Sequence, residues 1–123
     1  MRTLTLATIL TLFISISGLG QVTFILQSIP DYTPPEDTIY LGGSFNGWDP
    51  GSHEYNLVIN EDEKWAITLG PQAAGTNISF KFTRGSWSTV EKGANGEEIP
   101  DRYFTYGNGD TVDVIIHNWA DHG

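Results

Sequence analysis

Apolar residues in this chain alternate with polar ones, or form short blocks, between clusters of Gly, Pro, Asn and Asp. The alternation is clearest where Ile78, Phe80 and Phe82 would share one face of a strand, with polar residues on the other face. Trp65–Leu69 shows the same period of two. No stretch has the apolar spacing of an amphipathic helix. The pattern therefore predicts an all-β chain.

Turn-forming clusters divide the chain into short segments that are predicted as strands. The predicted strands are Val22–Ile29, Thr38–Ser44, Tyr55–Asn60, Lys64–Leu69, Asn77–Arg84, Trp87–Glu91, Arg102–Tyr106 and Thr111–Asn118. The clusters between them include Pro30–Asp37, Gly47–Ser52, Gly70–Gly75 and Gly107–Asp110. Strands of this length and spacing predict a β-sandwich of about seven to eight antiparallel strands.

The first twenty residues are predicted to lie outside this fold. Arg2 supplies a positive start, Leu4–Ile16 is apolar, and Ser17–Gly20 offers small residues, which is the layout of a secretory signal peptide. The apolar run is too short and too rich in Thr for a convincing membrane span. We expect cleavage after Gly20 and a single secreted domain over residues 21–123; a retained anchor is the alternative.

Charge and composition narrow the range of partners. The chain carries fifteen Asp and Glu against six Lys and Arg, a formal net charge of −9 at pH 7. Such a surface repels phosphate backbones and anionic lipids, so neither nucleic acid nor membrane is an expected partner. A neutral ligand meets no such penalty. The chain has no Cys, which excludes a disulfide framework.

The titratable residues show no catalytic or metal-binding pattern. His53, His117 and His122 lack the spacing of metal ligands. The densest acidic group, Glu61–Glu63, has the composition of a solvated hairpin tip. Glycoside hydrolysis needs two carboxylates held in a cleft, one of them with a raised pKa, and the sequence shows no sign of such a cleft. We therefore expect no enzymatic activity, no metal and no cofactor.

The four Trp residues divide into two pairs. Trp65 lies in an alternating apolar strand and is predicted in the core, and Trp119 is predicted to pack across the end of the sandwich. Trp48 and Trp87 have polar, Gly-containing neighbours, where a large ring is hard to bury. An aromatic ring covers the apolar face of a sugar while polar side chains bind the hydroxyls. These two indoles, with Lys81 facing outward between them, predict a sugar-binding platform; the alternative is that both close the ends of the sandwich.

Four segments, in order, resemble starch-binding modules of carbohydrate-binding family 20. They are the strand and turn of Thr38–Pro50, the strand Phe80–Phe82, the strand Pro100–Thr105 and the closing Asn118–Trp119. The stretch Gly43–Trp48 also resembles the related glycogen-binding modules of family 48. The resemblance spans nearly all of the predicted domain. It implies an immunoglobulin-like β-sandwich that binds α-1,4-linked glucose.

The resemblance also implies which residues bind the carbohydrate. Trp48 matches the family's first Trp and Lys81 matches its Lys. Asp101 stands in place of an Asn and would accept hydrogen bonds without donating them. The family's second Trp immediately precedes a Glu, and the nearest equivalents here are Trp87, at a shifted position, and Glu91; the alternative is a site with one Trp. These five residues form the predicted principal site.

A second site of the family uses Tyr residues at the other end of the module. Tyr32 roughly matches one of them, and Tyr55 lies near the position of its partner. We include both as a predicted second site.

Three functions are compatible with these observations. The favoured one is a non-catalytic module that binds an α-glucan such as starch, glycogen or maltodextrin, with a separate glycan-degrading enzyme as a further partner; an accessory N-terminal module of a glycan-active hydrolase is an alternative. The second is a secreted interaction or spacer domain with this fold and no glycan site, since fold alone does not determine function. The third is a small enzyme.

Overall fold

A computed structural model of the chain describes residues 19–122. Within that range the chain forms nine strands and two single-turn 3-10 helices. The strands are β1 (Leu19–Ser28), β2 (Tyr40–Gly43), β3 (Val58–Ile59), β4 (Trp65–Ala73), β5 (Asn77–Thr83), β6 (Glu91–Lys92), β7 (Arg102–Thr105), β8 (Thr111–Ile115) and β9 (Asn118–Trp119). The 3-10 helices are His53–Tyr55 and Trp87–Thr89.

The strands form two main sheets and a small third one. The first sheet has the order β3-β4-β1-β8, the second has the order β2-β5-β7, and β6 pairs with β9 alone. The predicted all-β sandwich is confirmed. The prediction that every strand is antiparallel is wrong, because β1 and β8 run parallel. That pairing joins the two ends of the described chain, and local patterns carry no information about it.

Aromatic packing joins the two main sheets. Phe24 of β1 is fully buried, and its ring centroid lies 4.8 Å from that of Phe80, 6.5 Å from Phe82 and 5.8 Å from Phe104. Phe80, Phe82 and Ile78 are buried on one face of β5, as the alternation predicted. Since successive side chains of a strand point to opposite faces, this burial sends Lys81 to the outer face of the second sheet.

The segment predicted as a strand over Trp87–Glu91 is mostly a 3-10 turn. The backbone N–H of Thr89 donates to Ser86 O at 3.0 Å, and that of Val90 donates to Trp87 O at 3.3 Å. The Thr89 hydroxyl also donates to Ser86 O at 3.0 Å. Ser and Thr side chains that bond the nearby backbone favour turns over strand pairing, so only the last residue of the segment enters a strand, β6.

Other strand boundaries also differ from prediction. The segment predicted over residues 55–60 contributes only β3, because a 3-10 turn precedes it. The segment predicted over residues 111–118 is divided between β8 and β9. The predicted link Gly70–Gly75 instead begins as strand, since β4 stays paired with β1 up to Ala73, opposite Leu19.

The two Trp residues predicted to pack inside do so to different degrees. Trp119 is 1% exposed, and its indole Nε1–H donates to Thr33 Oγ1 at 2.8 Å. The burial of its ring confirms the prediction that Trp119 is a packing residue. Trp65 is half-buried and packs against the core.

The predicted signal peptide lies outside the described residues except for its last two positions. Leu19 and Gly20 form the start of β1. In the part of the chain that the structure describes, no helix has the length and apolar character needed to span a membrane.

Candidate functional site

A tight turn after β2 presents Trp48. The backbone N–H of Trp48 donates to Gly43 O at 2.9 Å. The Asn46 side chain accepts from the N–H of Gly43 at 3.0 Å and donates to Leu41 O and Asp49 O, both at 3.2 Å. One amide side chain therefore holds both ends of the turn in place.

The same turn places Trp48 in a strained backbone conformation. Gly47 and Trp48 have φ values of +66° and +58°. Glycine adopts such values freely, whereas a bulky residue there costs on the order of 1–2 kcal/mol. The surrounding hydrogen bonds maintain that strain, which is a pattern typical of binding and catalytic sites. The result is a half-buried indole held at a loop end.

Trp87 lies beside Trp48 and is 41% exposed. The two ring centroids are 6.3 Å apart and the ring planes are tilted by 43°. Gly42 makes this arrangement possible, because a Cβ added there would lie 3.1 Å from Cη2 of Trp87. The indole thus rests on the bare backbone of β2. Neither Trp is buried, so the alternative that both indoles simply close the sandwich does not describe this structure.

Lys81 and Asp101 complete a cleft with the two indoles. Lys81 is paired with Gly42 in the β2–β5 ladder. Asp101 immediately precedes β7, whose first residue Arg102 is paired with Phe80 of β5. The cleft has a volume of about 390 Å³. We call it the Trp cleft. Its lining residues are Trp48, Lys81, Trp87, Val90, Lys92, Glu98 and Asp101.

The charges of the Trp cleft balance. Lys92 donates to the Glu98 carboxylate. This hydrogen bond and the charge of the ammonium group lower the pKa of Glu98. The cleft thus holds two basic side chains, Lys81 and Lys92, and two acidic ones, Glu98 and Asp101. Such a lining can donate and accept hydrogen bonds without favouring an ion of either sign.

Four of the five residues predicted for the principal site thus meet in one cleft. Sequence reasoning missed three of its members, Val90, Lys92 and Glu98. Val90 belongs to the predicted strand Trp87–Glu91, and Lys92 and Glu98 lie between that strand and the next predicted one, Arg102–Tyr106. The opposite charges of Lys92 and Glu98, six residues apart, are the one sequence signal of their contact.

Glu91 was wrongly predicted to contact carbohydrate. Its side chain is 1% exposed. It accepts hydrogen bonds from the backbone N–H of Phe82 at 3.0 Å, from Arg102 Nη2 at 2.8 Å and from Arg102 Nε at 2.9 Å. A buried carboxylate requires such partners. Glu91 therefore fastens β6 to β5 and β7 beneath the Trp cleft.

The structure does not bring the predicted second site together. Tyr32 stacks on His122 with ring centroids 3.7 Å apart, donates to Asn118 Oδ1 and accepts from the backbone N–H of Trp119 at 2.9 Å. It holds the end of the described chain. Tyr55 packs on Phe45, 4.9 Å between centroids, beside a different cleft. None of these three partners of Tyr32 lines that cleft, so the structure does not place the two Tyr side chains in one cleft.

Potential metal ligands are dispersed. Within residues 19–122, no group of three or more His, Asp or Glu side chains is placed to hold a metal ion.

We predict that Glu91→Ala lowers stability. Removing the carboxylate leaves the Phe82 N–H without its acceptor and the partly buried Arg102 guanidinium without its counter-charge, at a cost of about 2–3 kcal/mol. The free energy of unfolding in urea measures this. Glu98→Ala is the matched control, because that carboxylate is solvent-exposed, and it should leave the urea midpoint unchanged. Equal midpoints for the two variants would contradict the structural role of Glu91.

We also predict that Trp48→Gly is more stable than Trp48→Ala. Both variants lose the indole, but only Gly relieves the positive φ, so the difference should be about 1 kcal/mol in favour of Gly. Urea unfolding of the two variants measures it. At an ordinary backbone position Gly would be the less stable of the two, and that order would contradict the strained turn.

Comparison with known proteins matches the chain to segments of larger enzymes. It is 40% identical over 101 residues to an alpha-amylase of Niallia circulans, covering 81% of this chain and 8% of that protein. It is 34% identical over 107 residues to an amylopullulanase of Thermoanaerobacter thermohydrosulfuricus, covering 82% of this chain and 7% of that protein. An amylopullulanase of Thermoanaerobacterium thermosulfurigenes is 33% identical over 101 residues, covering 76% of this chain and 5% of that protein.

Among solved structures, the chain is similar to a family 15 glucoamylase from Hypocrea jecorina. The TM-score is 0.51 and the identity 18%, over 80% of this chain and 17% of that one. At this identity the likeness concerns the fold alone. No family model matches the chain. The chain is therefore homologous to a segment of about 100 residues within much larger amylolytic enzymes.

Proposed function

We propose that this chain is a non-catalytic carbohydrate-binding module whose ligand is an α-1,4-glucan such as starch, glycogen or maltodextrin. The observation that carries the proposal is the pair of accessible indoles of Trp48 and Trp87 beside Lys81 and Asp101. Flat rings cover the apolar faces of glucose units, and the ammonium and carboxylate groups bind the equatorial hydroxyls.

The tilt between the two indoles favours an α-linked glucan. The axial bond at C1 of an α-1,4 link inclines each glucose ring to the next, so the chain curves, whereas the equatorial bonds of a β-1,4 chain keep it extended and flat. Rings inclined at 43° with centroids 6.3 Å apart can each face one unit of a curved chain. Coplanar rings would suit a flat chain better.

The carboxylates of the Trp cleft argue against catalysis. A glycosidase acid needs a raised pKa so that it can donate a proton at neutral pH. Lys92 instead lowers the pKa of Glu98, which keeps this carboxylate ionised. Glu98 and Asp101 act in this proposal as hydrogen-bond acceptors only.

The relatives support a role beside amylolytic enzymes. They are named alpha-amylase and amylopullulanase, and this chain covers 5–8% of their length. We propose that it belongs with the starch-binding modules of family 20, with the glycogen-binding modules of family 48 as close relatives. It would bring an amylolytic activity to its polymer, either within one polypeptide or through a separate enzyme, after secretion directed by the predicted signal peptide.

The proposal predicts that Trp48→Ala weakens binding of maltoheptaose at least tenfold. The substitution removes one stacking face, and the remaining indole loses the ring that packs beside it. Together these losses cost more than about 1.4 kcal/mol of binding free energy. Isothermal titration calorimetry and retention on a starch gel measure the loss.

Val58→Ser is the control for this experiment. Val58 is 61% exposed, lies on β3 of the other sheet and is not a lining residue of the Trp cleft, so its substitution removes an exposed apolar side chain outside the proposed site. Its binding should match that of the unmodified protein. Unchanged binding in Trp48→Ala would contradict the proposed site, and the absence of any maltoheptaose binding would favour an interaction or spacer domain.

A further inference from the structure

Tyr103 is the most exposed of the large apolar and aromatic side chains that the structure describes, at 74%. It lies in β7, between Arg102 and the buried Phe104. Because Phe104 points into the core, Tyr103 points outward. It therefore projects from the same outer face of the second sheet as Lys81.

Strand pairing places Tyr103 next to the Trp cleft. Its partner on β5 is Ser79, two residues before Lys81. A side chain diagonal to another across an antiparallel pair lies about 7–8 Å away, within reach of an aromatic ring. Asp101, a lining residue of the cleft, is two residues before Tyr103 along the chain. The phenol thus stands roughly one glucose unit beyond the cleft.

The surroundings leave the Tyr103 ring accessible to a ligand. Its cross-strand neighbour Ser79 is small. The Tyr103 hydroxyl has no hydrogen-bonding partner among residues 19–122. The next outward pair, Asn77 and Thr105, is joined by a hydrogen bond of 2.6 Å between side chains. The outer face thus runs from the two indoles past Lys81 and Ser79 to Tyr103, and ends at that bonded pair.

We propose that Tyr103 forms an additional sugar subsite, so that the protein distinguishes α-glucans by length. A chain that fills the Trp cleft and continues along β5 would place a further glucose unit against the phenol ring. A disaccharide held by the indoles would not reach it. This inference rests on the proposed function, and it adds a residue that contacts only longer ligands.

The test compares maltose with maltoheptaose by tryptophan fluorescence titration, since Trp48 and Trp87 report occupancy of the cleft. Tyr103→Ala should weaken maltoheptaose binding about threefold to tenfold, the worth of one aromatic contact. Its affinity for maltose should stay within about twofold of the unmodified protein. Tyr103→Phe, which keeps the stacking face, should retain most of the maltoheptaose affinity.

Thr105→Ala is the matched control, because it lies on the same face of β7 one pair farther from the cleft, and it should bind both sugars normally. Circular dichroism of every variant checks the fold. Unchanged maltoheptaose binding in Tyr103→Ala overturns the subsite, as does an equal loss for maltose and maltoheptaose. Equal losses in Tyr103→Phe and Tyr103→Ala overturn the stacking contact.

The two proposals fail separately. If Trp48→Ala abolishes binding while Tyr103→Ala does not change it, the glucan-binding function stands and the subsite falls. If the unmodified protein binds neither sugar, both fall.

Discussion

The burial of one face of β5 determines where the candidate site lies. Phe80 and Phe82 contact Phe24 of the facing sheet, with centroids 4.8 Å and 6.5 Å from its ring. Strand geometry then leaves Lys81 no orientation but outward. Its neighbours on the outer face are Gly42 of β2, on which Trp87 rests, and the chain that leads from Asp101 into β7. One face of β5 packs in the hydrophobic core and its other face lines the polar cleft. Core packing therefore fixes the position of the site.

The turn that carries Trp48 adds local strain to this rigid base. A bulky residue at φ +58° persists because hydrogen bonds of Asn46 and the Trp48 N–H hold the turn closed. The other indole comes from a 3-10 turn stabilised by Ser and Thr hydroxyls, and below it the ion pair of the buried Glu91 with the partly buried Arg102 holds β6. Each aromatic ring is thus presented by a fixed backbone. A ligand that binds such a preformed surface loses less affinity to the ordering of side chains.

Period-two alternation over β5 was enough to predict the inner and outer faces correctly, and the polar surroundings of Trp48 and Trp87 correctly indicated accessible rings. Tertiary contacts determine the features that the sequence did not predict. Glu91 has the same local sequence character as an exposed acid, and only its approach to Arg102 and the Phe82 N–H buries it. The contacts of Tyr32 with the end of the described chain, and the parallel pairing of β1 with β8, join segments far apart in sequence. No local pattern could predict them.

The central claim is that Trp48 and Trp87 are the faces on which an α-glucan binds. The most direct measurement is an experimental structure of the protein with maltoheptaose bound. The account predicts glucose rings in van der Waals contact, about 4 Å, with both indoles, and hydroxyls within hydrogen-bond distance of Lys81 and Asp101. Maltoheptaose bound elsewhere on the sandwich, with the Trp cleft empty, would contradict the account.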